Sequence, residues 1–463
     1  MPDNIAELFS LVAADLRIPA GDSPLYATAE SIQKNLNSFI PTVHDTWKRW
    51  HFRAIEEILT FDSAYEADKR MPIKGPFREF THYVRQLWRK VNDSIIWSMA
   101  GERRHFVKRL CLYRRRGLLT EANPKTILKY LDYLNKDPYS IAIWNDATTC
   151  VDIGDISFFH HGNRDWHFIE VKEGSVNDEL GAVMKTFDND NFYGSVDSFI
   201  SRYGIKGKKQ LERCVKQSTT NSQAMELLNK EEGIDPVTSM YLKVVELVEV
   251  DEFYDDQMKE FIDNAIAKGI NDTLVVDGCL WIYVKGQRTK GEVRAPMRFV
   301  EYLRTNNDFF RLHSSRRIKG CDMGGIRNLN DSLMMPMAKP LFIRYFTPTQ
   351  IGEIALGKMM NNIYLFLDME MFGALLEQNG AAFSWSTPKE ARRLCAKPAK
   401  DRHSIVYFGR KPQYQIGDVV SDITEPLLTR MLFDGLRPSV MAKQMVESSQ
   451  YILDHVAEFK NIT

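Results

Sequence analysis

The sequence has no CxxC pair, no apolar run long enough to cross a membrane, no internal repeat and no excess charge of either sign. Each absence removes a class of protein. The six cysteines, Cys111, Cys150, Cys214, Cys279, Cys321 and Cys395, are scattered along 463 residues. That spacing excludes a closed zinc site, and a chain this long does not need a disulfide framework. Reduced, mostly buried thiols and a cytoplasmic protein are expected. The amino terminus, MPDNIAELFS, lacks a basic segment leading into an apolar one, so no signal peptide is read. A membrane span takes about 18 or more apolar residues. The best candidate, Leu274–Val284, is broken by Asp277 and Gly278, and no membrane partner is expected. Lysine plus arginine number 61, as do aspartate plus glutamate. Binding to a polyanion would therefore need a local patch.

Hydrophobic residues make up 44% of the chain and charged residues 26%, which is ordinary for a globular protein. At about 100–200 residues per domain, two or three domains are expected. The first third is helical in pattern. Trp47, His51, Ile55 and Leu59 fall on one face, as do Phe80, Val84, Leu87 and Val91. Glu102–Arg116 predicts a further helix stopped by Gly117, and Pro124 opens another over Thr126–Leu134. From Tyr139 the pattern turns to strands: Ser140–Trp144, Val151–His160 and Trp166–Lys172, with His161–Asp165 as the turn between the last two. Lys206–Leu228 reads as an amphipathic helix, followed by strands at Met240–Val250 and Thr273–Val284 with a helix at Gln257–Ala267 between them. The glycines and Pro336 of Arg316–Lys339 predict a linker or long surface loop. Beyond it, strands are expected at Leu341–Phe346, Ile363–Leu367 and Ser404–Phe408. Helices are expected at Ile351–Lys358, Met369–Gln378, Glu425–Phe433 and Ser439–Phe459, with Thr424 capping the third of these. The whole is α/β, in three parts: a helical N-terminal region (1–138), an α/β domain (139–315) and a C-terminal α/β region (316–463).

The segment that carries chemistry is VDIGDISFFHHGNRDWHFIEVKEGS, Val151 to Ser175. Side chains alternate between faces along a strand. Glu170 and Lys172 then share a face, with Ile169 and Val171 on the other. A tight turn would set the Asp155 strand antiparallel to the Glu170 strand and bring both acids to one ion. Two carboxylates, with the Val171 carbonyl beside them, suit a hard divalent cation. Such a cation can activate water and steady a phosphodiester leaving group, and Lys172 adds a fixed positive charge. Asp152 is the rival to Asp155, but three residues away it faces the opposite side of a regular strand. His160, His161 and His167 have the wrong spacing for a closed zinc site.

These residues resemble the PD-(D/E)xK nuclease superfamily. Gly154-Asp155-Ile156 stands at the Pro-Asp-apolar step, with glycine in place of proline, and Ile169-Glu170-Val171-Lys172 at the (D/E)xK step. The resemblance implies a restriction-endonuclease-like central mixed sheet flanked by helices in the middle third of the chain. It also implies Mg²⁺ or Mn²⁺ as cofactor, Asp155 and Glu170 (with the Val171 carbonyl) as metal ligands, and Lys172 as a catalytic residue. A glutamine on the following helix contacts the active site in RecB-like members, and Gln210 stands in that place. Glu102 is a candidate for an additional upstream acid. Clustered lysine and arginine release counterions from DNA, so Lys206, Lys208, Lys209 and Arg213, and upstream Arg109 and Arg115, are expected to meet the nucleic acid. A prokaryotic restriction or phage-defence effector follows by analogy, as a homodimer or with a partner subunit. A catalytically silent nuclease-fold module that binds nucleic acid or a partner protein is the alternative. The C-terminal region shows no chemical motif. Cys321-Asp-Met-Gly-Gly lacks the ending of a phosphate-binding loop, and recognition, regulation or dimerisation is left for this region.

Overall fold

Apolar residues at helical spacing and short β-branched runs produce a chain of helices interrupted by small sheets. A computed structural model describes residues 4–16, 29–69, 76–101, 104–112, 117–160, 165–171, 175–185, 192–236, 241–243, 252–268, 271–285, 295–316, 322, 324–344, 346–355, 363–397 and 404–455. The chain divides into two compact units, one of Met1–Arg17 with Glu246–Thr463, the other of Ile18–Val245. The boundaries expected at 138/139 and 315/316 each fall inside a unit, for reasons visible in their cores. Helix α1 (Asn4–Leu16) packs within the first unit, against the segments that follow residue 340.

In the 18–245 unit, α2 (Ala29–Lys69) packs on α3 (Pro76–Met99). Trp47, Trp50, Ile55 and Ile58 meet Val84, Leu87, Trp88 and Val91 in a common core. Helix α4 (Arg104–Leu110) is shorter than expected. Asp152 explains why: its backbone N–H donates to the Leu110 carbonyl (2.7 Å), and its carboxylate accepts from the Leu112 N–H (2.7 Å), so the chain leaves the helix at Cys111. Glu102 and residues 113–116, Arg115 among them, lie outside the described residues. After α5 (Pro124–Leu134) come β1 (Ser140–Trp144), β2 (Ile156–His160) and β3 (Asp165–Ile169), paired antiparallel in the order β1-β2-β3. Helices α6 (Ser175–Lys185) and α7 (Phe192–Lys230), the latter kinked at Gly204, precede a small ladder of β4 (Glu232–Ile234) and β5 (Tyr241–Lys243). The strand expected at Met240–Val250 is described only over β5.

Residues 151–155 were expected in a strand and are not. Their backbone forms no regular ladder, and much of it is held by side chains and by the end of α4. Asn145 Nδ2 donates to the carbonyls of Ile153 (2.7 Å) and Gly154 (3.1 Å), and its Oδ1 accepts from the Ser157 N–H (3.0 Å). The buried Asp93 accepts from the N–H groups of Thr149 (2.6 Å) and Cys150 (3.3 Å). A second buried chain runs from β1 into the helices: the Trp144 N–H donates to His51 Nε2 (3.0 Å), and His51 Nδ1–H donates to Asn92 Oδ1 (2.9 Å). The helical region and the hairpin thus share one polar core.

That geometry requires a neutral imidazole, and burial lowers the His51 pKa to about 4 despite the Asn92 hydrogen bond. The unfolded chain takes up a proton below pH about 6.5, while the folded one does not. Stability of this unit should therefore be level above pH 7. Between pH 6.5 and 4 it should fall by up to about 3 kcal/mol, at about 1.4 kcal/mol per pKa unit. Denaturation midpoints of wild type and His51→Gln over this range give the check: the variant should lose most of the slope, and identical slopes would exclude His51 as its source.

The other unit contains α8 (Asp255–Lys268), β6 (Asp272–Val276), β7 (Leu280–Val284), α9 (Ala295–Asn306), α10 (Asp308–His313), β8 (Arg327–Asn328), α11 (Pro348–Ala355) and β9 (Ile363–Leu367). It continues with α12 (Met369–Gln378), β10 (Ala382–Trp385), α13 (Pro388–Ala396), β11 (Pro412–Ile416), β12 (Val419–Asp422), α14 (Glu425–Phe433) and α15 (Pro438–Asp454). Two antiparallel sheets form, β6-β7-β9-β8 and β10-β11-β12. Thr273–Val284 is a hairpin with a three-residue connection, Asp277–Cys279, in which Asp277 and Gly278 both take positive φ (50° and 71°) and the Cys279 N–H donates to the Val276 carbonyl (3.1 Å). The segment 316–339 is not a linker. It contributes β8, and Leu329, Leu333, Met337 and Ala338 are buried. Leu341–Ile343 is a 3₁₀ turn rather than a strand, and Ser404–Phe408 makes only single-residue bridges, Val406 to Asp322 and Tyr407 to Arg410.

The fold is mixed α/β, and the named strands pair only antiparallel among the described residues, where a mixed sheet was expected. No helix among the described residues is long and apolar enough to cross a membrane. Cys111, Cys150, Cys214 and Cys279 are free and buried, as expected. Cys395 is disulfide-bonded, against the expectation of reduced thiols, and Cys321 lies outside the described residues.

Candidate active site

The β2–β3 ladder closes with the pair Ile156↔Ile169. Asp155 immediately precedes this pair and Glu170 immediately follows it, so both acids flank the same end of one hairpin. Neither sits in the regular strand assumed by the alternation of faces. Three contacts fix Asp155: its N–H donates to the Ile169 carbonyl (2.9 Å), its carbonyl accepts from the Asn145 N–H (2.9 Å), and its Oδ2 accepts from the Val171 N–H (2.7 Å). Glu170 Oε2 accepts from Gln217 Nε2 (3.2 Å). Asp155, Glu170, Val171 and Gln217 are all half-buried. Each carboxylate is therefore oriented by a protein donor at the rim of the core.

The structure separates Asp155 from its rival. Asp152 is buried and ties α4 to the loop, whereas Asp155 and Glu170 flank the Ile156↔Ile169 pair. Among the glutamines the outcome differs from expectation. Gln210 Nε2 donates to Asn177 Oδ1 on α6 (3.1 Å), and Gln217 is the one that reaches Glu170. Seven residues is two helical turns, about 10 Å along the axis. The sequence places both side chains on one face of α7, but their height relative to the hairpin depends on how α7 docks. Lys172, two residues beyond Glu170, lies outside the described residues.

Of the expected nucleic-acid contacts, Lys206, Lys208, Lys209 and Arg213 are exposed on α7. Arg109 is instead paired with the buried Asp235 (Nη1–Oδ2, 2.9 Å), so its guanidinium ties α4 to the segment after β4. His160 faces Asp137 (3.4 Å) and His167 lies against Phe158 (ring centroids 5.9 Å), while His161 is outside the described residues. Among the described residues no three of His, Cys, Asp and Glu come together as a metal cluster. The Asp155–Glu170 pair offers oxygen donors only, a set that suits a hard divalent cation better than zinc.

No protein-family model, no curated protein and no solved structure matches this chain. The likeness to the PD-(D/E)xK superfamily is carried by the sequence from Gly154 to Lys172 and by the helix with Gln210 that follows it. Its first step departs from the superfamily in backbone as well as in residue type. Gly154 has φ +65°, and a Cβ there would lie 3.1 Å from the Phe168 Cβ. Proline holds φ near −65°, so it cannot replace this glycine without rebuilding the turn. Gly154→Ala should destabilise the protein by about 1–3 kcal/mol. It should also speed amide exchange at Asp155, whose N–H bond to Ile169 the turn sets up. A variant as stable as wild type would show that the turn tolerates a side chain.

Proposed function

We propose that the 18–245 unit is a divalent-metal-dependent nuclease with a restriction-endonuclease-like core, acting on DNA. The observation that carries the proposal is the placement of Asp155 and Glu170 at one end of a hairpin, each carboxylate already held by a protein donor. Asp155, Glu170 and the Val171 carbonyl would hold Mg²⁺ or Mn²⁺. A cation there supplies Lewis-acid polarisation of the phosphate and a water of lowered pKa. Gln217 keeps the Glu170 carboxylate turned in one direction, and the Val171 N–H does the same for Asp155. Lys172 brings positive charge beside the scissile phosphate. Lys206, Lys208, Lys209 and Arg213 line α7 with charge for the backbone of the substrate. Such an enzyme suits a restriction or phage-defence role in a prokaryotic cytoplasm, as a homodimer or with a partner subunit.

Incubation of the full chain with plasmid, linear duplex, single-stranded DNA and RNA tests the proposal, in Mg²⁺, Mn²⁺ or EDTA. Wild type should cleave DNA with the metals and not with EDTA, and Lys172→Ala should be slower by at least about a hundredfold, the range for losing one preorganised electrostatic contact. Equal activity of the two proteins on every substrate would overturn the catalytic assignment. Absence of cleavage by wild type would leave the binding module as the reading.

A further inference from the structure

We infer that the solvent face of α5 and the turn after it form a stacking platform for single-stranded nucleic acid. The inference takes its purpose from the nuclease reading above but rests on different residues. Tyr130, Tyr133 and Tyr139 are 46%, 69% and 46% exposed. Lys125, Lys129 and Tyr133 follow i, i+4, i+8 spacing and share one row on the exposed face, with Tyr130 three residues from Tyr133 on the adjoining row. Lys136 sits with its Nζ 5.9 Å from the centre of the Tyr133 ring. On the opposite side Ile127 and Leu131 anchor the helix in the core.

The platform is held rigidly. Asn135 binds the end of α5 to β1, donating to the Leu131 and Ala142 carbonyls (3.0 Å each) and accepting from the Ala142 N–H (2.9 Å). Asp137 accepts from the Tyr139 N–H (3.1 Å) and the Ser140 hydroxyl (2.7 Å), which sets the third tyrosine. The backbone that carries the rings is thus already ordered before a partner binds, and every base offers a π-face to stack on them.

Charge selects the kind of partner. Lys125 and Lys129 are exposed on the row of Tyr133 and Lys136 lies over its ring, while Asp132 faces Lys48 (3.9 Å) and Asp137 is engaged with Ser140 and His160. Aromatic faces interleaved with lysine fit a strand whose bases are unpaired and whose phosphates are negative. A duplex hides its base faces and fits poorly. The platform begins beside Ser140, which pairs with His160, while Asp155 stands beyond the Trp144↔Ile156 end of the same strands. A strand stacked here lies roughly 16 Å from the candidate site, the length of β1.

The test is fluorescence anisotropy of the full chain with labelled oligo-dT, oligo-U and a duplex, all in EDTA so that cleavage plays no part. Wild type should prefer the single strands, and the dT and U arms separate DNA from RNA as the source. Tyr130→Ala and Tyr133→Ala should each weaken binding about tenfold. Tyr→Phe at the same positions should not, because stacking does not use the hydroxyl. Lys125→Ala with Lys129→Ala should flatten the dependence of log K on log salt by roughly 0.7 per lysine. These are surface positions, so unchanged melting temperatures serve as the folding control. Preference for the duplex, alanine variants that bind like wild type, or a loss of self-association in place of oligonucleotide binding would each overturn the platform. Because the readout is binding without metal, a failed platform leaves the Lys172→Ala cleavage test untouched, and a failed cleavage test leaves the binding result standing.

Discussion

Asp155→Asn is expected to reduce metal-dependent cleavage about a thousandfold while leaving the fold intact. On the proposed assignment the variant would remove one anionic ligand of the cation, and such a cation contributes several kcal/mol to a transition state, at about 1.4 kcal/mol per tenfold. The intact fold follows from local geometry. Asp155 Oδ2 accepts the Val171 N–H at 2.7 Å, and an asparagine carbonyl can accept the same bond. The backbone contacts of residue 155 to Asn145 and Ile169 do not involve the side chain at all. Glu170→Gln should behave alike, since its amide oxygen can still accept from Gln217. The measurement pairs initial cleavage rates in Mg²⁺ with isothermal titration of Mn²⁺. Loss of both activity and Mn²⁺ binding at unchanged thermal stability supports the assignment. A variant that retains Mn²⁺ affinity and activity would remove Asp155 from the metal site.

Asp93→Ala should destabilise the 18–245 unit by about 3–5 kcal/mol, the range for breaking a buried ion pair from one side. Asp93 and Lys90 are fully buried and 3.1 Å apart. The same carboxylate accepts from the Thr149 N–H, the Thr149 hydroxyl and the Cys150 N–H. Burial, with the Asp93 charge next, pushes the Cys150 thiol well above its ordinary pKa, so no second anion forms beside it. Alanine removes the partner of a buried ammonium and an acceptor for the loop together. The joint change Lys90→Met with Asp93→Leu should recover part of the loss, because it removes both charges. Chemical denaturation at pH 7 reads the effect as a shift in midpoint. A shift equivalent to less than about 1 kcal/mol would show that the pair contributes little. The change should also reach the candidate site. Thr149 and Cys150 begin the loop that ends at Asp155, so Asp93→Ala should lower cleavage further than its folded fraction explains.

Where the apolar period is clear, local pattern sufficed, although Thr424 makes no side-chain capping bond at the start of α14. Ser140–Trp144, Ile363–Leu367, Met369–Gln378 and Glu425–Phe433 fold as read. Asp368 accepts from the N–H groups of Glu370 and Met371 (3.1 Å each) and starts α12, a choice written within four residues. The failures share a cause. Residues 151–155 look like a strand, but Asn145 takes the Ile153 and Gly154 carbonyls and the end of α4 takes the Asp152 N–H, while Asp93 holds Thr149 and Cys150 just before them. Residues 316–339 look like a loop by their glycines, but four apolar side chains are buried in the core. Asp322, in the Cys321-Asp-Met-Gly-Gly segment, accepts from the N–H groups of Gly324 (2.8 Å), Phe408 (2.9 Å) and Gly409 (2.7 Å). That contact holds Ser404–Phe408 out of a regular strand. Each of these competitors is distant in sequence or is a side chain acting on backbone, and neither leaves a periodic signal.

By itself the sequence determined the acidic pair and its frame. Gly154, Asp155 and Glu170 bracket two apolar strand segments, and antiparallel pairing of those segments across a short turn is enough to place the two acids at one end of a hairpin. It also determined the solvent face of α5, since Ile127 and Leu131 leave Lys125, Lys129 and Tyr133 only the opposite side. Tertiary structure alone decided which acid is structural and which glutamine reaches the site. Asp152 is held by the end of α4, and Gln217 rather than Gln210 meets Glu170, because the docking of α4 and α7 on the hairpin sets their heights. Helical periodicity defines the direction of a side chain around its axis. Its position along a neighbouring element follows from packing between segments far apart in the chain.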